Sequence, residues 1–247
     1  MKQIRFAFLV YALFVGTTRT IYAQISRIAV VNHVDSTLIY MHQGLTIFGN
    51  NVDTFDCKFN IKKYIDQELP RLLTANATVS LVNMPDSVLS PNGRLYNKMG
   101  NIKKTFKSWV SSIKDQYDFV IYVWNDGSQM FQNGPLKIEL SGIMSGPKVY
   151  KKGAAAFTAV TFIAFRTSNL KEIDYNAPMM SFYKVIKDFK FIGKNMTIDP
   201  EMFPVIKASI INVLDKKFEY FLTRTYIVPQ NLYDEVKKDR ILPNFSD

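Results

Sequence analysis

The chain has 247 residues, of which 47% are hydrophobic and 14% aromatic, and this composition excludes an intrinsically disordered protein. Its single cysteine, Cys57, excludes an internal disulfide, so a stable fold must depend on its apolar core. The formal net charge of +10 indicates a basic surface.

The first 23 residues have the layout of a cleavable export signal. Lys2 and Arg5 precede the apolar run 6–16, and the small residue Ala23 closes the segment. That run is about half as long as the roughly 20 residues of a membrane-spanning helix, which favours cleavage after Ala23 over an uncleaved N-terminal anchor. Cleavage would leave about 224 residues with a formal net charge of +7, and no cysteine lies where a lipid anchor would be attached.

The first elements after this signal are predicted to be a β-hairpin and a helix. The apolar patterns at 27–34 and 37–48 flank Asp35-Ser36, which indicates two antiparallel strands joined by a turn there. A helix is predicted from Asn60, a suitable N-cap, with apolar residues at helical spacing as far as Leu72. Pro70 lies within that pattern and is expected to kink or shorten the helix.

The middle of the chain alternates between predicted strands and one amphipathic helix. A short strand at 79–82 and a Pro- and Asn-rich loop at 83–100 precede a helix at 102–113. The run at 117–124 has no polar alternation and indicates a strand buried on both faces.

The last third contains two strong elements. A possible strand at 136–140 precedes a long central strand at 154–166, with a turn at 167–169 that leads into a further strand or an extended arm. Asp199-Pro200 begins a helix with an apolar face as far as Phe221, and a polar tail from 228 is predicted to lie on the surface. No later segment is long enough to span a bilayer, so the mature chain is predicted to be soluble.

This order of elements predicts a single α/β domain over 24–247. We expect one sandwich in which about three main helices cover a mixed β-sheet, with an α+β arrangement as the alternative.

The two histidines are the first candidates for chemistry. In the predicted hairpin, His33 and His42 face the same side of the sheet, on the order of 13 Å apart. That separation is too large for one metal ion, and Cys57 with Asp53 and Asp56 has no zinc-ligand spacing. The sequence therefore predicts no metal site and no cofactor.

A serine-based site has two candidate positions. Asp126 and Ser128 follow the buried strand 117–124, at the end where α/β folds place their sites, although Asn125 to Ser128 also has the composition of an ordinary turn. The segment 142–146, Gly-Ile-Met-Ser-Gly, differs from the hydrolase elbow in spacing and has no predicted helix after it.

The basic charge has two interpretations. The lysines are spread along the chain and contain no block of six like charges, which is typical of a solvated surface. Alternatively, they attract an anionic envelope surface such as phospholipid head groups, lipopolysaccharide or wall polymer. The export signal and the absence of a recognition motif argue against nucleic acid.

Two resemblances accompany these patterns. The segments RIAVVNHV and TLIYMHQGLTIFGN, with Gly44, Thr46 and Phe48, resemble a group of uncharacterised exported bacterial proteins. The order of elements, carried by 117–126 and by 154–166 with its turn at 168–169, resembles the α/β domain of curli-secretion and TolB amino-terminal envelope proteins. Neither resemblance implies a catalytic residue, and the chain departs from the many lipoproteins of that class in lacking an N-terminal cysteine.

Three functions follow as hypotheses. The first is a non-enzymatic envelope protein, periplasmic or secreted, that binds a protein partner or an anionic surface polymer. The second is an esterase-like periplasmic hydrolase with a site around Asp126, Ser128 and His33 or His42. The third is a small-ligand binder that uses the loops after Trp124.

Overall fold

The computed structural model describes residues 26–42, 51–74, 77–89, 95, 102–126, 139–146, 153–175, 183–192, 197–225, 227 and 234. Within them lie two five-stranded sheets, a two-stranded ribbon and three α-helices, which confirms the α/β class. The helices are α1 (Ile61–Leu73), α2 (Lys104–Ser112) and α3 (Phe203–Arg224). The predicted export signal falls outside the described residues, as does the predicted C-terminal tail except for Asp234.

The first sheet has the strand order β4-β1-β5-β8-β9. Strands β1, β4 and β5 run parallel to one another, and β8 and β9 complete the sheet in antiparallel pairing. Its strands are β1 (Ser26–His33), β4 (Ala77–Leu81), β5 (Phe119–Asn125), β8 (Val160–Arg166) and β9 (Lys171–Tyr175).

The second sheet has the strand order β10-β7-β6-β2-β3. Strands β2 and β6 are parallel, and the other pairs are antiparallel. Its strands are β2 (Leu38–His42), β3 (Asn51–Phe55), β6 (Ser141–Ser145), β7 (Gly153–Phe157) and β10 (Tyr183–Lys187). The short strands β11 (Phe191–Ile192) and β12 (Thr197–Ile198) form the ribbon.

The predicted hairpin at Asp35 is wrong, because β1 and β2 belong to different sheets. β1 pairs with β4 and β5, and β2 pairs with β3 and β6. Side chains turn the connecting segment: Asn32 Oδ1 accepts from the Val34 N–H, and Asp35 Oδ1 accepts from the Thr37 N–H. The Asp35 N–H also donates to Asn125 Oδ1 at 2.6 Å, which fixes this segment to the end of β5.

The predicted long strand 154–166 is two strands in different sheets. β7 ends at Phe157 and β8 begins at Val160, and we call Thr158 and Ala159 between them the crossover. Its backbone polar groups find partners elsewhere in the chain, which a buried break requires. The Ala159 N–H donates to Ser141 Oγ, and the Ala159 carbonyl accepts from the Asp126 N–H.

Two large hydrophobic cores hold the layers together, and Ile39, Met41 and Phe157 of the second sheet form a smaller third cluster. On one face of the first sheet, Tyr122 and Phe165 pack with Phe106 and Val110 of α2. The main core joins the other face of that sheet, one face of the second sheet, and the buried faces of α1 and α3. Tyr64 of α1 also donates to Asp215 of α3 at 2.6 Å, so a hydrogen bond reinforces this packing.

The helices begin close to where the sequence predicted. Asn60 caps α1 by accepting from the Lys63 N–H at 2.8 Å, and the helix continues through Pro70 to Leu73. Asp199 caps the short 3-10 helix Pro200–Met202 that leads directly into α3. Most of the predicted strand at 136–140 lies outside the described residues, and β6 begins at Ser141.

Candidate functional site

A cleft among the described residues lies at the carboxyl ends of β1 and β4. Along the chain, the connection from β1 to β4 passes through β2, β3 and α1 on one face of the first sheet, and α2 connects β4 to β5 on the other face. β1 therefore lies between strands whose connections leave in opposite directions, which is where open α/β sheets form ligand crevices.

This cleft has a volume of about 530 Å³. Its walls come from the segment 30–35, from the residues that follow β4, and from α1. The lining residues are Val30, Val31, Asn32, His33, Val34, Asp35, Lys62, Asp66, Leu81, Val82, Asn83, Met84 and Asp86.

A polar network fixes one wall of the cleft. Asn32 Nδ2 donates to Asp66 Oδ1 at 2.8 Å and to the Lys62 carbonyl at 3.1 Å. Lys62 Nζ donates in return to the Asn32 carbonyl at 2.9 Å and to Asp66 Oδ2 at 3.2 Å. The Lys62–Asp66 pair is partly exposed and contributes little stability alone, so the main effect of the network is to hold the end of β1 against α1.

His33 contributes an ionisable group to the same cleft. Partial burial lowers the pKa of its imidazole below the usual value of 6.5, and nearby Lys62 acts in the same direction while Asp86 opposes it. The ring lies 6.1 Å from the Tyr122 ring, centroid to centroid. The neutral imidazole is thereby favoured at neutral pH, and it has one nitrogen that accepts and one that donates.

Asp126 lies at the same edge of the sheet as His33. The parallel register places His33 opposite Trp124, so Asp126 follows two residues beyond the pair. The Asp126 N–H donates to the Ala159 carbonyl at 2.7 Å. Ser128, the other predicted member of this group, lies outside the described residues.

His42 lies in the second sheet, so its predicted placement beside His33 on one hairpin is wrong. Its partner is a residue opposite it in the parallel β2–β6 register, Ser145. His42 Nδ1 lies 3.1 Å from Ser145 Oγ, and Tyr40 Oη lies 2.7 Å from the same oxygen. The sequence singled out the segment 142–146, but only the strand register brings its serine to a histidine.

Lys217 is a buried ionisable residue that the sequence pattern did not reveal. It lies on the apolar face of α3 with 0% exposure, and its Nζ donates to the carbonyls of Thr158 and Val160 at 2.9 and 2.6 Å. Burial lowers the pKa of its ammonium from 10.5 to about 7, against the opposing effect of Asp126. Lys217 thus satisfies the carbonyls at the crossover.

Within the described residues, no three His, Cys, Asp or Glu side chains are grouped as a metal site would require. Among α1, α2 and α3, none has the length and apolar composition needed to cross a membrane.

Comparisons with known proteins give no family. No family model matches the chain, and no curated protein matches it. A crystal structure of a Xanthomonas campestris protein, described with the DUF330 family model, is similar with a TM-score of 0.36 and 5% sequence identity. The similarity covers 83% of this chain and 87% of that chain, and at this TM-score we derive no function from it. The resemblance to curli-secretion and TolB amino-terminal proteins stays a prediction.

Proposed function

We propose that the chain is an exported, non-enzymatic protein of the bacterial envelope that binds a protein partner or an anionic surface polymer. The composition of residues 1–23 supports export, because a positively charged start, a short apolar run and a small residue at the exit define a signal peptide. The basic charge that remains after cleavage supports the anionic partner.

The cleft at the carboxyl ends of β1 and β4 carries the protein-partner part of the proposal. Leu81 at its rim is 53% exposed, and partly exposed Val82 follows it along the same wall. The opposite wall carries the amide, ammonium and carboxylate groups of the Asn32–Lys62–Asp66 network. An apolar surface beside a few fixed polar groups is the usual composition of a binding site.

Site-specific photocrosslinking in living cells tests the cleft. A benzophenone amino acid placed at Leu81 is expected to yield a discrete crosslinked product. The same amino acid at Val205, which is 45% exposed on α3, serves as the matched control and is expected to yield none. Equal products from both positions, or none from either, would contradict a binding role for the cleft.

Export has its own test. The chain recovered from an expressing bacterial cell is expected in the envelope or medium fraction, with Gln24 as its first residue. Recovery in the cytoplasm with Met1 or Lys2 retained would refute export, whatever the outcome of crosslinking.

A hydrolase is the second candidate function, and a strand register and a side-chain contact favour it. The β1–β5 register brings His33 to the edge at which Asp126 begins the segment containing Ser128. Separately, His42 Nδ1 lies 3.1 Å from Ser145 Oγ, a distance at which an imidazole accepts a serine proton.

A fluorophosphonate probe distinguishes these two arrangements from each other and from a non-enzymatic protein. If the chain is a hydrolase, the wild-type chain is labelled, and the label is lost in either Ser128→Ala or Ser145→Ala. The label is also lost in the variant of the matching histidine, which is His33 for Ser128 and His42 for Ser145. A folded wild-type chain that the probe does not label argues for the non-enzymatic function.

A further inference from the structure

Helix α2 presents a basic face to solvent. Phe106 and Val110 point into the core beneath the first sheet, while Lys104 and Lys107 are exposed. Lys114, in the turn after the helix, is exposed as well. We call Lys104, Lys107 and Lys114 the α2 basic surface.

The surrounding sequence reinforces this charge. From Ser87 to Lys114 the chain contains six basic residues and no acidic residue. Because Lys104 and Lys107 are three residues apart on a helix, their ammonium groups extend from one side. Of the long segments of the printed sequence that contain no acidic residue, this one contains the most basic residues.

The acidic residues that follow α2 in the chain do not cancel the charge. Asp118 lies beside Arg27, whose Nη2 is 3.1 Å from Asp118 Oδ1, so that carboxylate already has a cationic partner. This ion pair lowers the pKa of Asp118, which keeps the carboxylate charged and paired. Asp115 is exposed beside Lys114 and offsets a single charge.

We infer that the α2 basic surface docks the protein on a membrane that contains anionic phospholipid, with the three ammonium groups against lipid phosphates. The inference rests on the proposed envelope location. Charge complementarity selects a phosphate-bearing surface, and Trp109 on the same helix, half-buried at the edge of the core, is a residue type that suits the membrane interface. Because Phe106 and Val110 are buried within the protein, the helix stays outside the hydrocarbon region and the contact is electrostatic.

Vesicle cosedimentation of the processed chain tests this docking. Binding is expected to vesicles of phosphatidylglycerol mixed with phosphatidylcholine, not to phosphatidylcholine alone, and it should weaken as salt is added. The triple variant Lys104→Gln, Lys107→Gln, Lys114→Gln is expected to lose affinity on the order of 100-fold. Each lysine near an anionic membrane contributes a factor of about 5, and the three factors multiply.

The matched control removes the same charge elsewhere. Lys171, Lys184 and Lys187 are exposed on β9 and β10, and their triple glutamine variant is expected to bind within about 2-fold of wild type. The triple arginine variant of the α2 basic surface retains charge and is expected to bind as wild type, which separates loss of contact from loss of folding.

Three results would overturn the inference. Equal losses in both glutamine variants would assign binding to net charge, and wild-type binding by the α2 variant would exclude this surface. Preferential binding to soluble polyphosphate, with no vesicle binding, would assign the surface to a polymer. Crosslinking at Leu81 and export are measured separately, so either can succeed while membrane docking fails.

Discussion

Lys217→Met replaces a fully buried amino group by a side chain of similar length that neither ionises nor donates a hydrogen bond. In the folded chain the pKa of Lys217 falls from 10.5 to about 7, because burial disfavours the charged form. Between these pH values the folded state binds fewer protons than the unfolded state, so the free energy of unfolding rises with pH. Lys217 therefore stabilises the fold most above pH 10.5, and this contribution is lost as pH falls towards 7.

The magnitude follows from the shift and from two hydrogen bonds. One titrating proton changes the free energy of unfolding by at most about 1.4 kcal/mol per pH unit, which over this window reaches on the order of 5 kcal/mol. In the methionine variant the carbonyls of Thr158 and Val160 lose their donor, at a cost of about 1–3 kcal/mol each. The variant is thus clearly less stable than wild type at high pH, and the difference narrows as pH falls to 7.

Urea denaturation at several pH values from about 7 to 10 measures this difference. Lys216→Met, which removes the exposed neighbouring lysine, is the control and is expected to follow the wild-type slope. Parallel pH profiles for wild type and Lys217→Met would refute the conclusion that Lys217 titrates in the folded protein near neutral pH.

Three further predictions concern the sheet, a helix cap and the cleft. Gly142→Ala is expected to destabilise the fold by at least about 1–3 kcal/mol in urea denaturation, because a Cβ there would lie 1.8 Å from a carbonyl oxygen of β2. Asn60→Ala is expected to cost about 1 kcal/mol by the same assay, because it removes the acceptor for the Lys63 N–H. The His33 imidazole is expected to titrate below pH 6.5 in NMR spectra, and Asp86→Asn should lower its pKa further by removing an opposing charge.

Controls and contrary outcomes are specific to each. Thr78→Ala, at an exposed position of β4, should leave the free energy of unfolding nearly unchanged. An equal loss of stability in this variant and in Gly142→Ala would exclude the steric explanation. Lys63→Ala keeps the backbone N–H that Asn60 caps, so it should destabilise the fold less than Asn60→Ala does. Lys62→Gln should raise the pKa of His33, and a decrease would show that the charges around the cleft are misassigned.

Local patterns in the sequence predicted the helices and one central strand well. Asn60 signals the start of α1, and Asp199 signals the start of the 3-10 helix that leads into α3. The unbroken apolar run at 117–124 corresponds to β5, which is buried between two neighbouring strands. These features depend on residues close to one another in sequence, which is why spacing and capping reveal them.

Strand partners depend on distant residues, and there the predictions failed. The residues near Asp35 do not show whether the chain reverses there within one sheet or passes to a second sheet. In this fold the Asn125 side chain, 90 residues away, holds the segment by accepting from the Asp35 N–H. A continuous apolar run likewise hides the break after Phe157, because the donor to its carbonyls, Lys217, lies on a helix 57 residues beyond Val160.

The candidate site could be predicted only in part, because some of its contacts also depend on distant residues. The rule that sites lie at the carboxyl ends of parallel strands pointed to Asp126, and the structure places His33 at that edge. The His42–Ser145 contact required the β2–β6 register, and the Asn32–Lys62–Asp66 network required α1 to pack beside β1.

The two-residue crossover also makes the sheets a mechanical unit. The crossover is too short to absorb a relative displacement of the two sheets, and hydrogen bonds fix it to α3, Ser141 and Asp126. A force on β7 is therefore transmitted to β8, and from β8 to its neighbour β5. A partner that pulls on the second sheet would therefore strain the end of β5 from which Asn125 holds the cleft segment. The crossover is therefore a rigid connection, so that a displacement of the second sheet is transmitted to the cleft at the edge of the first sheet.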